Sequence, residues 1–345
     1  MYIELLQIAL GNKSNLSRML NDDEWFSVYK FAEEQAIVGI LARGLDKLPQ
    51  AQLPRKDLLL QWIGRSEMIK QQNIVVNQRC VELCDMLKVY GFQCCILKGQ
   101  GNAMMYPEPS LRQPGDIDIW VDDTKDKIAS FVKERFPWVH DSGHHIDFPI
   151  FRDVSVEMHY EPTYSIFFKY QKNLRRFIEH NREKQFRNRI QFNSSTISFP
   201  TNEFNVVYQM SHMQDHFFYG GLGLRQIVDY FYLLKRIDRI SIDYSKQFKD
   251  LGMLKFASAI MWILMDVFRI ENDRVFVTPD KKRGKLVLNE ILRSGNFGKF
   301  DKRISGRLYN KSATFSIIIR NLKTLYLFPR ESISAPLTGI ARRFL

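Results

Sequence analysis

The sequence predicts an α+β fold in which a small mixed sheet lies between an N-terminal helical segment and a C-terminal helical domain. Up to about residue 88, apolar residues recur every three or four positions, as they do on one face of a helix. Short apolar or alternating runs, which are typical of strands, follow between residues 91 and 165. Helical spacing returns from Thr201. The three predicted parts are therefore residues 1–90, 91–200 and 201–345.

The N-terminal segment is expected to form several helices. The apolar spacing places them at residues 3–10, 25–36 and 58–87. Three acids stand directly before Trp25, and negative charge is stabilised at the N-terminus of a helix by the helix dipole. A helix beginning close to Trp25 is therefore well supported.

The middle part is expected to supply the strands of the sheet. A run of strand length ends at Lys98-Gly99, a short helix follows, and Thr124 is placed to cap another helix. Arg152-Asp153 separates two strand-like runs and indicates a hairpin. The predicted strands are residues 92–97, 116–121, 146–151 and 154–160, with one or two more within 187–199.

The C-terminal part is expected to be helical throughout. Its first two helices are separated by the glycine-rich break at residues 220–223. The predicted helices are residues 201–218, 224–237, 244–251, 255–270, 285–293 and 313–327.

The formal net charge of +12 is concentrated at the C-terminal end. Residues 281–345 carry 15 Lys and Arg residues against three acids, and the remainder of the chain is neutral. This distribution excludes a uniformly basic protein of the histone or ribosomal kind. Three interpretations of the tail remain open: an amphipathic helix with solvated bases, a surface for RNA or DNA phosphates, and an interfacial helix on an anionic membrane. An anionic partner at the tail is therefore one expectation.

A cytoplasmic protein without a transmembrane segment is expected. The first ten residues contain Glu4 and no basic leader, which differs from a signal peptide. The longest apolar run, residues 256–265, is about half of the roughly 20 residues that span a bilayer. Four cysteines are too few for a disulfide scaffold, so buried free thiols are expected.

Three acids on two predicted strands are the main indication of a functional site. Asp116 and Asp118 are two residues apart, so their carboxylates share one face of a strand. Glu157 joins that face if its strand pairs beside the first. Neighbouring anions repel one another unless a cation neutralises them, and Mg²⁺ or Mn²⁺ prefers oxygen ligands. Three carboxylates can hold two metal ions for in-line attack on a phosphate. The competing interpretation is an ordinary exposed strand face.

The turn before the aspartates has features of a phosphate-binding segment. It ends a strand, opens a short helix and comprises Lys98, Gly99, Gln100 and Gly101. Glycine lets the backbone approach a phosphate closely, and the lysine adds positive charge. Arg112 is expected either to hold a phosphate or to pair with Asp116.

Other polar residues are candidates for the wall of the same site. His159 shares a strand face with the third acid and would either bind substrate or orient that acid. Arg225 would either face the substrate or pair with Asp229, one helical turn later. His144 and His145 precede a strand and are within reach of the cleft.

His212 and His216 share a helix face, because they are four residues apart. Met213 stands where the zinc-protease pattern requires Glu. Packing or hydrogen bonding, in the wall of the cleft, is therefore favoured over zinc binding for this pair.

Together, these motifs resemble the nucleotidyltransferase superfamily of the DNA-polymerase-beta type. The matching block spans about residues 96–160: a strand ending in Lys-Gly, a short helix, Leu-Arg-x-x-Gly-Asp-Ile-Asp, and a Val-Glu-x-His strand. More narrowly, the chain is similar to an uncharacterised bacterial nucleotidyltransferase family that has a helical C-terminal region. Gln100 stands where many members of the superfamily carry Ser.

The resemblance implies an ATP-binding or other NTP-binding enzyme that transfers a nucleoside monophosphate to an acceptor. It implies that Asp116, Asp118 and Glu157 are the catalytic residues and the ligands of Mg²⁺ (or Mn²⁺). The predicted nucleotide-binding residues are Lys98, Gly99, Gln100, Gly101, Arg112, His159 and Arg225. A small molecule, a protein and RNA all remain open as the acceptor. The alternative function is a catalytically inactive nucleotide- or nucleic-acid-binding module with the same fold.

Overall fold

The computed structural model describes residues 1–237, 243–301 and 313–341 of the 345-residue chain. Four helices precede the sheet. The second begins with a capping box, in which the side chains of Asn21 and Glu24 each accept a hydrogen bond from the other residue's backbone N–H. These helices are α1 (Tyr2–Leu10), α2 (Asp22–Glu34), α3 (Val38–Leu45) and α4 (Lys56–Val89).

A four-stranded mixed sheet follows, as the sequence predicts. Its elements are β1 (Cys94–Ile96), α5 (Gln100–Ala103), β2 (Ile117–Val121), α6 (Lys125–Lys133), β3 (His145–Asp147) and β4 (Val156–His159). The strand order is β1-β2-β4-β3, and only the central β2–β4 pair is parallel. In that pair Asp118 lies directly beside Glu157. The strand predicted at residues 146–151 is shorter than expected, and Pro149 next to it has no N–H to donate to a ladder.

The rest of the chain is mainly helical. Its elements are α7 (Phe168–Arg187), β5 (Arg189–Phe192), β6 (Ser195–Ser198), α8 (Asn202–Tyr219), α9 (Leu224–Arg236), α10 (Tyr244–Asp250), α11 (Leu254–Trp262), α12 (Lys281–Ser294), α13 (Ala313–Leu322) and α14 (Pro329–Ala341). The two strands predicted within 187–199 form a hairpin. The helix predicted at 255–270 changes to a π-helical turn at Ile263–Val267.

Two of these helices are not predicted by the apolar spacing. α7 buries only four side chains in 20 residues, so most of its positions are polar and its apolar stripe is narrow. α14 contains Pro336, which normally argues against a helix interior.

The two faces of the sheet pack against different helices. Ile117 and Ile119 contribute to a core with residues of α4 and α6, such as Leu83 and Ile128. On the opposite face Trp120 belongs to a larger core, which the N-terminal and C-terminal helices build together.

Gln35 shows how closely the N-terminal and C-terminal helices are joined. Its amide donates to the carbonyl oxygen of Ile291 at 2.9 Å and accepts from the backbone N–H of Leu224 at 2.9 Å. The division of the chain at residues 90 and 200 stays a prediction.

The structure describes the state of the cysteines and the lengths of the helices. All four cysteines are free, and Cys80, Cys84 and Cys95 are buried. Within the described ranges, no helix combines the length and apolarity that crossing a membrane requires.

The basic tail is described only in part. Arg303, Arg307 and Lys311, three bases of the predicted anion-binding surface, lie outside the described residues. Lys323 is exposed. The anionic partner of the tail stays a prediction.

Candidate active site

A cavity of about 420 Å³ lies between the sheet and the C-terminal helices. Eight of the ten predicted site residues line it, and the other two, Gln100 and Gly101, do not. The strands β2 and β4 supply its acidic wall, while α8 and α9 supply histidines and an arginine. The cavity therefore brings together groups that are more than 100 residues apart in the sequence.

The three predicted acids meet at the parallel strand pair. Asp118 and Glu157 are neighbours in the β2–β4 register, and Asp116 directly precedes β2. One carboxylate oxygen of each residue lies within 4.8 Å of the other two. Such a group can share a cation, because hard divalent ions bind several oxygens at about 2.0–2.6 Å.

The pKa values of the two aspartates are shifted in opposite directions. The negative charge of Asp118 raises the pKa of Asp116 to about 6, and partial desolvation adds to this effect. Although burial raises the pKa of Asp118, the positive charge of Lys98 and the hydrogen bond from His159 outweigh it and hold that pKa well below its usual range. Asp118 is therefore ionised at neutral pH, whereas Asp116 gains a proton in mild acid.

Lys98 places a positive charge directly on the acidic group. Its Nζ lies 2.7 Å from Asp118 Oδ1 and 3.3 Å from His212 Nε2. Burial lowers the pKa of Lys98, but the charges of Asp118 and Asp116 raise it by more. Burial and the charge of Lys98 hold the pKa of His212 well below its usual range, so this ring is a neutral acceptor.

Two histidines surround the carboxylate of Glu157. His159 Nε2 lies 2.8 Å from Asp118 Oδ1 and 3.4 Å from Glu157 Oε2, and His145 Nδ1 lies 3.5 Å from the same glutamate oxygen. Burial raises the pKa of Glu157, yet the hydrogen bond from His159 leaves it lowered. His159 thus contacts Glu157, with which it shares a strand face, and also Asp118, which was not predicted.

Arg112 does not pair with Asp116, one of the two alternatives that the sequence left open. It forms a buried bidentate pair with Asp229, with Nε–Oδ1 and Nη2–Oδ2 distances of 2.7 and 2.8 Å. Tyr106 and Asn102 also donate to Asp229. The carboxylate of Asp229 neutralises the arginine, which makes Arg112 a poor candidate for an independent phosphate ligand.

Arg225 does not form the ion pair with Asp229 that its spacing suggested. Its Nη1 donates to the carbonyl oxygen of Gln113 at 2.9 Å, and its Nε has no hydrogen-bond partner among the described residues. Burial and the charge of Arg112 lower the pKa of Arg225 to about 10, so the side chain remains protonated at neutral pH. A buried cation in the cavity wall, without an acidic partner in the described part of the chain, is suited to an anion.

The predicted phosphate turn is only partly at the cavity. Gly99 lines it and has φ +48°, a conformation that favours glycine. The side chain of Gln100 instead points to α4, where it donates to Asn73 and Asn77. Gly101 is packed beside Phe199, which a Cβ would approach to 2.9 Å. This geometry does not support nucleotide contacts by the side chain of Gln100 or by Gly101.

Among the aromatic residues of the cavity, Phe297 was not predicted from the sequence. Phe297 has φ 54°, which is rare for a non-glycine residue. Its ring packs against the ring of His216 and the guanidinium of Arg225. Gly295 and Gly298, which flank it, are the only sequence signal of an unusual turn here, and nothing in the sequence places that turn at the cavity.

Comparison with known proteins places the chain in a family. Residues 21–269 match the family described as uncharacterised nucleotidyltransferase. Because this match covers more than half of the chain, the protein belongs to that nucleotidyltransferase family.

One solved structure is similar to this chain: an antigenic nucleotidyltransferase-like protein from Paracoccidioides brasiliensis. The similarity covers 63% of this chain and 96% of that one, with 14% sequence identity and a TM-score of 0.40. No curated protein sequence matches the chain.

Proposed function

We propose that the protein is a metal-dependent enzyme that transfers a nucleoside monophosphate from an NTP to an acceptor hydroxyl or phosphate. The convergence of Asp116, Asp118 and Glu157 within 4.8 Å, in the wall of a cavity, carries this proposal. Membership of the nucleotidyltransferase family supports it.

The three acids fit a divalent cation by their chemistry. Without one, the carboxylates depend on Lys98 and His159 for neutralisation, and the mutual repulsion leaves Asp116 with a raised pKa. In this proposal they hold Mg²⁺ or Mn²⁺, which would stabilise negative charge on the phosphates and help to ionise the acceptor.

The cavity also offers positive charge for the triphosphate. Arg225 is the strongest candidate, because it is buried, protonated and without an acidic partner among the described residues. Lys98 is available for a phosphate once a metal ion replaces it beside Asp118. The backbone turns at Gly99, whose φ is +48°, directly after Lys98.

The proposed reaction is an in-line displacement at the α-phosphorus. A bond forms between the acceptor oxygen and that phosphorus, the bond to the oxygen bridging to the β-phosphorus breaks, and pyrophosphate leaves. Glu157 is ionised at neutral pH because its pKa is lowered, so it is able to accept the proton of the acceptor. The acceptor remains a small molecule, a protein or RNA in this proposal.

Calorimetric titration tests the proposal first. Each of the four NTPs is titrated into the protein with Mg²⁺ and then with EDTA, and the Asp116→Asn/Asp118→Asn variant is compared with Asp126→Asn. Asp126 is an exposed acid in the first turn of α6, so its variant is a matched control. We expect Mg²⁺-dependent binding in the wild type and the control, and none in the double variant.

Transfer is then measured with an NTP labelled at its α-phosphate and separate protein, RNA and small-molecule acceptors. Label on an acceptor, with release of pyrophosphate, supports the enzyme. Binding without transfer to any acceptor would instead support the inactive binding module. Absence of NTP binding by the wild type with Mg²⁺ would overturn the enzyme and the nucleotide-binding module, and would leave only a nucleic-acid-binding module.

A further inference from the structure

The structure contains a second group of metal-ligating side chains beside the three acids. It consists of His145, Glu157 and His159, each of which offers one donor atom within 4.8 Å of the other two. Only Glu157 belongs to both groups. Two nitrogen donors distinguish this group from the oxygen-only set that the proposed transfer reaction uses.

Strand register brings these donors together. In the antiparallel β3–β4 pair, His145 lies opposite His159, and Glu157 is two residues from His159 on the same face. A parallel neighbour, β2, fixes the other edge of β4. The donors therefore project from hydrogen-bonded strands, which hold a ligand set more firmly than a mobile loop does.

Two of the three donor separations match those of a tetrahedral ion, and the third, between the two histidines, is at most 4.8 Å. Zinc binds imidazole nitrogen and carboxylate oxygen at about 2.0–2.2 Å, which puts two ligands of a tetrahedral site about 3.4 Å apart. Glu157 Oε2 lies 3.5 Å from His145 Nδ1 and 3.4 Å from His159 Nε2. An ion can therefore contact all three donors after only small side-chain movements.

The carboxylate of Asp147 lies near His145, one of the proposed ligands. The second ring nitrogen of His145, Nε2, lies 3.9 Å from Asp147 Oδ1. This separation is longer than a hydrogen bond, so Asp147 would have to move closer to orient the ring as carboxylates do for metal-binding histidines. The ring of His144 is also adjacent, with its Nε2 2.9 Å from His145 Nδ1, and could complete the coordination.

We propose that His145, Glu157 and His159 bind a transition-metal ion, of which Zn²⁺ is the best fit. Imidazole ligands favour Zn²⁺ and Co²⁺ over Mg²⁺, whereas the three carboxylates favour Mg²⁺ or Mn²⁺. The cavity thus holds two adjoining sites of different selectivity, which share Glu157. Binding at the nitrogen site needs neither a nucleotide nor Asp116, so it does not depend on the proposed transfer reaction.

Cobalt substitution tests the site directly. The untagged, EDTA-treated protein is titrated with Co²⁺ in the presence of excess Mg²⁺, and visible absorption is recorded. Tetrahedral Co²⁺ absorbs intensely in the visible region, whereas hydrated octahedral Co²⁺ absorbs weakly. We expect intense bands at one Co²⁺ per chain, and their loss on addition of one equivalent of Zn²⁺. This measurement needs no variant and thus no assumption about folding.

Variants then identify the ligands. Loss of a residue that only supports a metal ligand weakens metal binding by about 10- to 100-fold. Because His145 is itself a proposed ligand, we expect His145→Ala to weaken Zn²⁺ binding by a factor of at least about ten. His180→Ala is the matched control, since His180 is exposed on α7, and should bind Zn²⁺ as the wild type does. Asp116→Asn should also retain the cobalt bands. Circular dichroism confirms that each variant is folded.

The possible outcomes separate this inference from the proposed function. Weak cobalt bands in the wild type overturn the nitrogen site, as does a folded His145→Ala variant with unchanged Zn²⁺ affinity. Loss of the bands in Asp116→Asn also overturns it, because it shows that the ion uses the oxygen set. NTP binding with Mg²⁺, measured on the EDTA-treated protein before Co²⁺ or Zn²⁺ is added, tests the proposed function alone.

Discussion

Lys98 Nζ and Asp118 Oδ1 lie 2.7 Å apart, and this ion pair is largely buried, with 16% and 5% of the two side chains exposed. The lysine thus occupies one side of the acidic group where the proposed metal ion would bind. In the metal-free protein it is the closest full positive charge to Asp118. Removing it should therefore have a different effect with and without a metal ion.

We predict that Lys98→Met lowers the free energy of unfolding by about 3 kcal/mol in EDTA, because the buried carboxylate of Asp118 loses its ammonium partner and keeps only the contact with His159. Saturating Mg²⁺ should restore part of this loss. Urea unfolding under both conditions measures it. Lys127→Met is the control: Lys127 pairs with Asp123 but is 60% exposed, so its change should stay within about 1 kcal/mol. An equal loss with and without Mg²⁺ would contradict the proposed metal site.

The raised pKa of Asp116 predicts how metal binding depends on pH. Its carboxyl has a pKa of about 6, chiefly because of the charge of Asp118, and it must lose its proton to bind a metal ion. The apparent affinity for Mn²⁺ should therefore be constant above about pH 7 and fall about tenfold per pH unit below 6. Calorimetry between about pH 5 and 8 measures this.

Asp116→Asn provides the control for this pH dependence. Its affinity for Mn²⁺ should be lower at every pH, with a shallower slope below pH 6. A wild-type affinity that is unchanged from about pH 7 to 5 would show that Asp116 is not a ligand.

The sequence predicted the acidic group because strand periodicity is a local property. Asp116 and Asp118 share a face wherever residues 116–121 form a strand, and Ile117 and Ile119 required the opposite face to be buried. The position of Glu157 needed one assumption, that its strand pairs beside β2. The parallel β2–β4 register confirms that assumption.

The partners of the arginines could not be predicted in the same way. Spacing along a helix suggested that Arg225 pairs with Asp229, but Asp229 accepts instead from Arg112, 117 residues away. Such pairings depend on how α9 packs against the segment before β2. Phe297 was missed for the same reason, since only tertiary packing brings its turn to the cavity.

Removing one partner of the buried pair of Arg112 and Asp229 should be strongly destabilising. We predict that Asp229→Ala destabilises the fold by about 3–5 kcal/mol, because a buried guanidinium loses its neutralising carboxylate. The double variant Arg112→Met/Asp229→Leu should be less destabilised than Asp229→Ala alone. Urea unfolding of the wild type, the Arg112→Met and Asp229→Leu single variants and the double variant measures the coupling. Additive losses in the double variant would contradict a direct interaction between the two charges.

His216 should make the protein sensitive to acid. Burial, then the charge of Lys98, lowers its pKa from 6.5 to about 4 in the folded state. The unfolded chain therefore takes up a proton from about pH 6.5 downwards while the folded chain does not, so stability is lost as pH falls through this range. The loss from this group between about pH 7.5 and 5 should be about 2 kcal/mol.

The test for His216 is a difference between two proteins. Urea unfolding in EDTA is measured at both pH values for the wild type and for His216→Gln, which removes the titrating group. The variant should lose about 2 kcal/mol less than the wild type on acidification. Equal losses would mean that His216 is not protected from protonation in the folded state.

Two helical glycines give opposite predictions for the same substitution. A Cβ on Gly39 in α3 would lie 2.3 Å from the backbone oxygen of Leu111, whereas a Cβ on Gly64 in α4 would meet nothing within 4 Å. Gly39→Ala should therefore destabilise the protein by about 1–3 kcal/mol, because a backbone atom must move. Gly64→Ala should stabilise it by about 0.5–1 kcal/mol through helix propensity.

The Gly39→Ala substitution should also affect the cavity, because it displaces the backbone of Leu111. The next residue, Arg112, lines the cavity and pairs with Asp229. We therefore expect Gly39→Ala to weaken Mg²⁺-dependent NTP binding and Gly64→Ala to leave it unchanged. Thermal unfolding and calorimetric titration measure the two effects on the same samples. A stable Gly39→Ala protein with wild-type NTP affinity would show that α3 does not help to position the segment before β2.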